Sequence, residues 1–240
     1  MSKNTFLVTS AINTKFGVFN SQDRLTQTLA TVNRIKEKAP GSKIIFLEMA
    51  ALPLTAEQSQ KITESVDYLI DFTTDGAVQS LYHSTDNWDV VKNVTEVMCF
   101  GKALKMLHHD TDQLADSQRI FKISGRYLLS DDFDIDYYNQ YNVQTNIIVS
   151  KSRSSQFDIS LTQVPRQFMS RLWSWPTPLT NEIIQVYDQG LRFMQSRILQ
   201  GGYVDIEHLL YKFLDHNKVI ERDIIGIHGN IGPNGQLVKD

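Results

Sequence analysis

Arg119-Ile-Phe-Lys-Ile-Ser-Gly-Arg-Tyr127 occupies the middle of the chain. Ile120 to Ile123 reads as a buried strand, and Ser124-Gly125-Arg126 as the turn at its carboxyl end. In an open α/β sheet, ligands bind outside the carboxyl ends of the strands. A small residue, a glycine and an arginine at such an end let the backbone approach a ligand closely and set a guanidinium beside it. The planar fork of donors on arginine suits phosphate. On a strand, Lys122, Ser124 and Arg126 fall on one face.

The residues before this segment alternate between apolar strands and amphipathic helices. Thr5–Ile12 is a β-rich run ending at Asn13-Thr14. Asn20-Ser21 can cap a helix from Gln22 to about Lys38, with Leu25, Leu29, Val32 and Ile35 on one face. Pro40-Gly41 breaks it. Lys43–Leu47 is a second buried strand followed by Glu48. Thr55 can cap a second helix, and Asp67–Ile70 is a third strand ending at Asp71. This order predicts a parallel sheet with helical crossovers. Acids that follow strands two and three stand at the ligand edge, although a turn or helix cap uses the same residues.

Asp75-Gly76 reads as a turn and His83–Asn87 as a polar loop. Val91–His109 is a long helix, in which Gly101 costs about 1 kcal/mol relative to alanine and so marks a close approach. Asp110–Ser117 is a loop. Beyond Tyr127 the pattern becomes antiparallel: strands are predicted at Val143–Val149, Phe157–Leu161 and Gln167–Trp175, and α/β sheets often carry such strands. Trp173 and Trp175 share a face, for core packing or for stacking on a sugar. Thr180 can cap a helix to about Leu199, and Val204–Leu214 is a further helix. Val219–Ile220 and Ile224–His228 are short strands, and Gly229–Gly235 is a turn-rich loop.

Composition narrows the classes. The 240 residues allow one large domain or two small ones; with no repeat or linker, one domain is expected. Hydrophobic residues make up 41% and charged residues 21%, with a net charge of −3 and no long run of one sign. Nucleic acid is therefore not expected as a ligand, since phosphate-backbone binding needs a clustered basic face. Cys99 is the single cysteine, which excludes an intramolecular disulfide and a cysteine-based zinc site. No apolar run approaches the ~20 residues of a membrane span, and Met1–Thr5 lacks a signal peptide's apolar core. A soluble, cytoplasmic protein is expected. No Gly-x-Gly-x-x-Gly follows the first strand, which argues against a dinucleotide dehydrogenase. Ser10–Gly17 is also a poor match to the glycine-rich basic loop of nucleotidyltransferases.

Taken together, the parallel start, the long helix leading into Lys122-Ile-Ser-Gly-Arg-Tyr127, and the antiparallel second half with its late acidic helix resemble glycosyltransferases of the GT-A fold. They are similar in particular to the glycosyltransferase-like proteins of bacterial polysaccharide loci and of large viruses or phages. Arg24 in the first helix and the Lys92-Asn93…Glu96 helix start also carry the resemblance. It implies a single Rossmann-like α/β domain over residues 1–240, with a mixed, mainly parallel central sheet flanked by helices. Residues 1–127 would bind nucleotide and residues 128–240 the acceptor. It implies sugar transfer from a UDP- or GDP-type nucleotide-diphosphate sugar to a glycan or other hydroxyl acceptor. The alternative is a non-catalytic nucleotide- or glycan-binding protein that kept the fold.

The same resemblance implies the site. Ser10, Ala11 and Asn13 would lie under base and ribose, with Arg24 near the base or phosphates. Glu48 or Asp71 would accept hydrogen bonds from base or ribose, and Lys122, Ser124, Gly125 and Arg126 would meet the diphosphate. Glu207 or Asp205, in Tyr203-Val-Asp-Ile-Glu-His208, would be the base, although acids in a first helical turn also serve as caps. Such enzymes usually carry Asp-x-Asp at the end of the central strand, where it binds Mn²⁺ or Mg²⁺. Ser124-Gly125-Arg126 stands there instead. The metal would then fall to Asp132, Asp134 or His228, or Lys122 and Arg126 would neutralise the diphosphate without one.

Overall fold

The computed structural model describes residues 4–14, 16–140, 143–230 and 235–240. Strands β1 (Asn4–Ser10), β2 (Lys43–Glu48), β3 (Tyr68–Asp71) and β4 (Arg119–Ser124) are parallel. β1 lies between β2 and β4, so the chain runs β1, β2, β3 outward in one direction and then returns to place β4 on the other flank of β1. That reversal is a topological switch point, where an open sheet leaves a crevice at its carboxyl edge. The register brings the strand ends level there: Ser10 pairs with Glu48, Glu48 with Asp71, and Thr9 with Ser124.

Alternation along the strands builds two cores. Phe6, Val8, Ile44, Phe46, Phe121 and Ile123 face the layer that holds α1 (Ser21–Lys38). Leu7, Ile45, Leu47 and Ile120 face the other layer. That layer holds α3 (Gly76–Ser84), α4 (Trp88–Lys105), α6 (Thr180–Leu199) and α7 (Ile206–Phe213). A short α2 (Ala56–Thr63) connects β2 to β3. Asn20 caps α1 and Thr55 caps α2, each in a reciprocal box with the residue three positions on.

Beyond β4 the chain leaves the main sheet. β5 (Tyr127–Leu129) joins a three-stranded sheet with β11 (Ile227–Asn230) and β12 (Leu237–Lys239). β6 (Ile147–Ser150), β9 (Leu172–Pro176) and β10 (Val219–Arg222) extend the main sheet to seven strands, in the order β10-β6-β9-β4-β1-β2-β3. β9 runs antiparallel to both β4 and β6. The expected mixed, mainly parallel sheet with antiparallel strands in the second half is present.

Several local expectations are corrected. Asp75-Gly76 begins α3: the Asp75 carboxylate accepts from the backbone N–H groups of Ala77 and Val78 and so starts a helix where a turn was predicted. α4 starts three residues before Val91 because Asn87 caps it, and a π-helical turn at Met106–Asp110 ends it. Phe157–Leu161 is not a strand. Asp158 caps the short helix α5 (Ile159–Thr162), between the two-residue strands β7 (Arg153–Ser154) and β8 (Arg166–Gln167). Of Val143–Val149, only the end is extended, and the Gln167–Trp175 run is split between β8 and β9. Leu179, not Thr180, stands at the cap of α6, and the Thr180 hydroxyl donates to the Thr177 carbonyl. Asp205 caps α7. The last short strand is shifted to Ile227–Asn230, and residues 231–234 of the glycine-rich loop lie outside the described residues.

Trp173 and Trp175 share a face as expected. Both are fully buried with ring centroids 4.6 Å apart, so they are core. A Cβ at Gly101 would stand 3.3 Å from the Cβ of Tyr187, which assigns the close approach to α4 packing on α6. Cys99 is buried. Among the described residues no helix is long and apolar enough to cross a membrane.

Candidate active site

The crevice at the switch point is a cleft of about 920 Å³, counting its open mouth. Ser10 and Ala11 at the end of β1, and Ser124 and Arg126 at the end of β4, line it together with Arg24 from α1. The structure therefore brings five of the residues named from sequence into one hollow. Arg126 arrives there through the turn: strand alternation stops at Ser124, and the Gly125 N–H donates to the Thr9 carbonyl at 2.8 Å. A Cβ at position 125 would stand 3.1 Å from that carbonyl and 3.2 Å from Thr28 Oγ1, so a side chain there would press β1 or α1 back by a few tenths of an ångström.

The two arginines are held differently. Arg24 donates to the carbonyls of Phe19 (3.2 Å), Ala11 (3.1 Å) and Phe16 (2.9 Å), and so folds the segment after β1 over the cleft. Burial lowers its pKa, and the positive charge of Arg126 lowers it further. Arg126 lies over the Tyr127 ring, 5.5 Å from its centroid, and its buried Nε has no hydrogen-bond partner. Two guanidiniums that repel each other in a half-buried cleft create a field that favours an anion. A smaller recess, lined also by Gln27, Thr28 and Gly125, shares both arginines.

Sequence reasoning marked the Lys92…Glu96 helix start only as part of the resemblance and gave the opposite wall no place in the site. Trp88, Lys92, Thr95 and Glu96 come from α4, and Val78 and Tyr82 from α3. The signal was present: positions 88, 92 and 96 recur every four residues, which is one helical face. Lys92 Nζ lies 5.4 Å from the Trp88 ring centroid. The rings of Phe16 and Tyr82 meet edge to face at 6.5 Å, and with Met49, Ala50 and Ala51 they give the cleft apolar surface as well.

Other residues named from sequence stand behind or beside this wall. Glu48 is fully buried, and its Oε1 accepts from the N–H groups of Ile12 (3.0 Å) and Ala50 (3.2 Å). Burial pushes its carboxyl up to about 7. It ties together the segments that leave β1 and β2 and is not a lining residue. Asn13 donates to the Pro53 carbonyl (2.6 Å) and to Gln58 Oε1 (2.8 Å), which latches the loop to α2. Asp71 is exposed and accepts from the Thr73 N–H.

Lys122 is fully buried: its Nζ lies 3.0 Å from Glu96 Oε1, 2.9 Å from Ser124 Oγ and 2.9 Å from the Ser170 carbonyl. Its charge is spent on Glu96. Burial pushes the Glu96 carboxyl up, but Lys122, Lys92 and Arg126 outweigh it and hold the group below the usual carboxylate range.

Behind Lys122, Ser170 Oγ donates to Glu207 Oε1 at 2.6 Å. Burial first, and then the charge of Asp205, raise the Glu207 carboxyl. Asp205 is 2.6 Å from His208 Nδ1 and accepts from the His208 N–H; burial would raise its pKa, but His208 holds it low. Asp205 is thus committed to capping α7, whereas Glu207 is linked to the lining residues Glu96 and Ser124 through Ser170 and Lys122; neither acid lines the cleft.

The acids proposed for a metal do not converge. Asp132 pairs with Lys239 at 3.0 Å, Asp134 accepts from the Asp136 N–H, and His228 lies in β11. None of the three lines the cleft. Among the described residues no three His, Cys, Asp or Glu side chains could hold a metal ion together. Glu96 is the one carboxylate among the described lining residues, and Lys122 neutralises it. This donor set does not fit a divalent cation.

No family model matches the chain, and no curated protein matches its sequence. Solved structures do match. Core-mannan synthase A (CmsA/Ktr4) from Aspergillus fumigatus, in its Mn/GDP form, superposes with a TM-score of 0.53 at 10% identity, over 98% of this chain and 77% of that one. The mannosyltransferase Ktr4p from S. cerevisiae gives 0.52 at 11% identity, over 95% and 70%. An active-site mutant of LgtC gives 0.53 at 8% identity, over 90% and 72%. At such identities the likeness is one of fold. This chain has the GT-A fold of these glycosyltransferases.

Proposed function

We propose that the protein transfers a sugar from a nucleoside-diphosphate sugar to a hydroxyl acceptor. The observation that carries this is the pair Arg24 and Arg126, which repel each other at the carboxyl edge of β1 and β4 in a cleft with apolar surface alongside. An anionic group with a flat apolar attachment satisfies both features, and a nucleoside diphosphate is such a ligand. The GDP named with two of the matching structures supports the same ligand class. In this reading residues 1–127 hold the nucleotide and residues 128–240 the acceptor, a glycan or other hydroxyl compound.

In an inverting transfer, the acceptor oxygen bonds to the anomeric carbon. The bond from that carbon to the phosphate oxygen breaks, and its electron pair leaves on the diphosphate. The hydroxyl proton passes to a carboxylate. Glu207 takes that role in this reading: of the two acids at the start of α7, Asp205 is held by His208 and the helix cap, whereas Glu207 accepts from the Ser170 hydroxyl and has a raised pKa. Arg126 stabilises the charge that develops on the leaving group.

The test is nucleoside-diphosphate release from a panel of UDP- and GDP-sugars with and without glycan acceptors. Turnover that Glu207→Gln abolishes, with nucleotide binding retained, is the expected result. Turnover unchanged in that variant removes the assignment of the base. Ser-Gly-Arg in place of an acid pair after β4 favours a second reading, a protein that binds the nucleotide sugar without transfer; binding with no release for any pair would establish it. A ligand at a hundred times its dissociation constant adds about 2.7 kcal/mol, so a melting point unmoved by every nucleotide would refute both readings.

A further inference from the structure

We infer that this cleft takes the diphosphate without a divalent cation, with Arg126 as its direct ligand and Arg24 as a fixed second charge. The inference rests on the donor reading above and adds how the leaving group's charge is met.

A divalent ion at the end of β4 needs oxygen ligands from carboxylates. That strand ends at Ser124 and is followed by Gly125 and Arg126, and the carboxylate among the described lining residues, Glu96, is bound by Lys122 at 3.0 Å. A cation here would meet two guanidiniums and one neutralised acid. An anion meets the reverse. Arg126 Nε is buried without a partner in the free protein, so a buried donor stands unused. A phosphate oxygen that accepts from it and from a neighbouring Nη would complete the bidentate arrangement that arginine forms with phosphate. The stacking of Arg126 on Tyr127 at 5.5 Å keeps the fork oriented.

Arg24 contributes differently. Its donors are engaged by three backbone carbonyls, so it acts by its charge and by holding Ala11, Phe16 and Phe19, not as a free-swinging ligand. Lys122, the other basic residue near the turn, is excluded as a ligand by its burial and its three partners.

Calorimetric titration of UDP, GDP and inorganic pyrophosphate, each in EDTA and in Mn²⁺, tests this. The expected affinity for the preferred nucleotide changes less than about threefold between the two conditions. Arg126→Ala weakens it by about 10- to 100-fold, the range for losing a charged hydrogen-bonded group. Arg126→Lys keeps the charge but not the fork and is expected to lie between wild type and alanine. Circular dichroism melting confirms that each variant is folded; if alanine is not, the lysine variant and pyrophosphate competition carry the comparison. Binding seen only with Mn²⁺ overturns the inference and leaves the donor reading standing. Metal-free binding that a folded Arg126 variant retains in full overturns the role of Arg126. Binding of no nucleotide under either condition refutes the donor reading, and the inference with it.

Discussion

Replacing Glu48 by glutamine is expected to stabilise the protein in alkaline solution and leave it unchanged in acid. Glu48 is fully buried, and burial lifts its pKa from the usual 4.5 to about 7. The unfolded chain releases this proton near pH 4.5, whereas the folded chain keeps it until about pH 7. Between those values the folded state binds more protons, so stability falls as pH rises through the window. Two and a half pKa units correspond to about 3 kcal/mol, lost in full above pH 7. Glutamine keeps an oxygen for the N–H groups of Ile12 and Ala50 and carries no charge. The glutamine variant should therefore match the wild type near pH 4.5 and exceed it by about 3 kcal/mol at pH 8. Alanine, which leaves both donors without an acceptor, should be less stable than glutamine by about 2–5 kcal/mol at every pH. Urea unfolding of the three proteins at intervals from pH 4.5 to 8 measures this. A glutamine-minus-wild-type difference that is flat with pH, or that shrinks as pH rises, would refute the reasoning.

Other consequences follow from the same network. Lys122→Met strands the Glu96 carboxylate, and breaking one side of a buried pair typically costs about 3–5 kcal/mol; adding Glu96→Gln should restore most of it, as read by urea unfolding in a double-mutant cycle. The pKa of Asp205 is held low by His208, so its contribution is present above the unfolded carboxyl value and is lost as pH falls through the folded one. Asp205→Asn should therefore flatten the acid limb of the stability curve below about pH 4 while keeping a cap for α7. Cys99 is fully buried and its thiol is pushed up to about 12, so a thiol reagent at pH 8 should label it only after denaturation; rapid labelling of the folded protein would contradict the packing of α4.

What could be read before the structure was known follows from how much each feature depends on neighbours in sequence. β1, β2, β4 and α1 were legible because their burial patterns are local: continuous apolar runs for strands buried on both faces, and a recurrence every three or four residues for a helix with one solvent face. Asp75-Gly76 misled because the same pair opens a turn or caps a helix, and the choice rests on Val78 and Tyr82 finding the sheet layer beyond. Phe157–Leu161 misled because three exposed apolar residues mimic a strand, whereas Asp158 bonding to Ser160 closes a helical turn.

The site divides along the same line. Its β-strand half was visible, since residues at strand ends reach a switch point whatever packs above them. Its helical half was not, because Trp88, Lys92 and Glu96 look like the solvated face of a helix until α4 is laid across the carboxyl edge of β4. Lys122 makes the dependence plain. Alternation placed it on the same face as Ser124, correctly, yet that face is the one α4 covers, so the lysine meets Glu96 and not the cleft. The charge available to a ligand is therefore set by a pairing across 26 residues of sequence. With Lys122 and Glu96 cancelling each other, Arg24, Arg126 and Lys92 are left as the charges among the described lining residues, an arrangement whose field favours an anion.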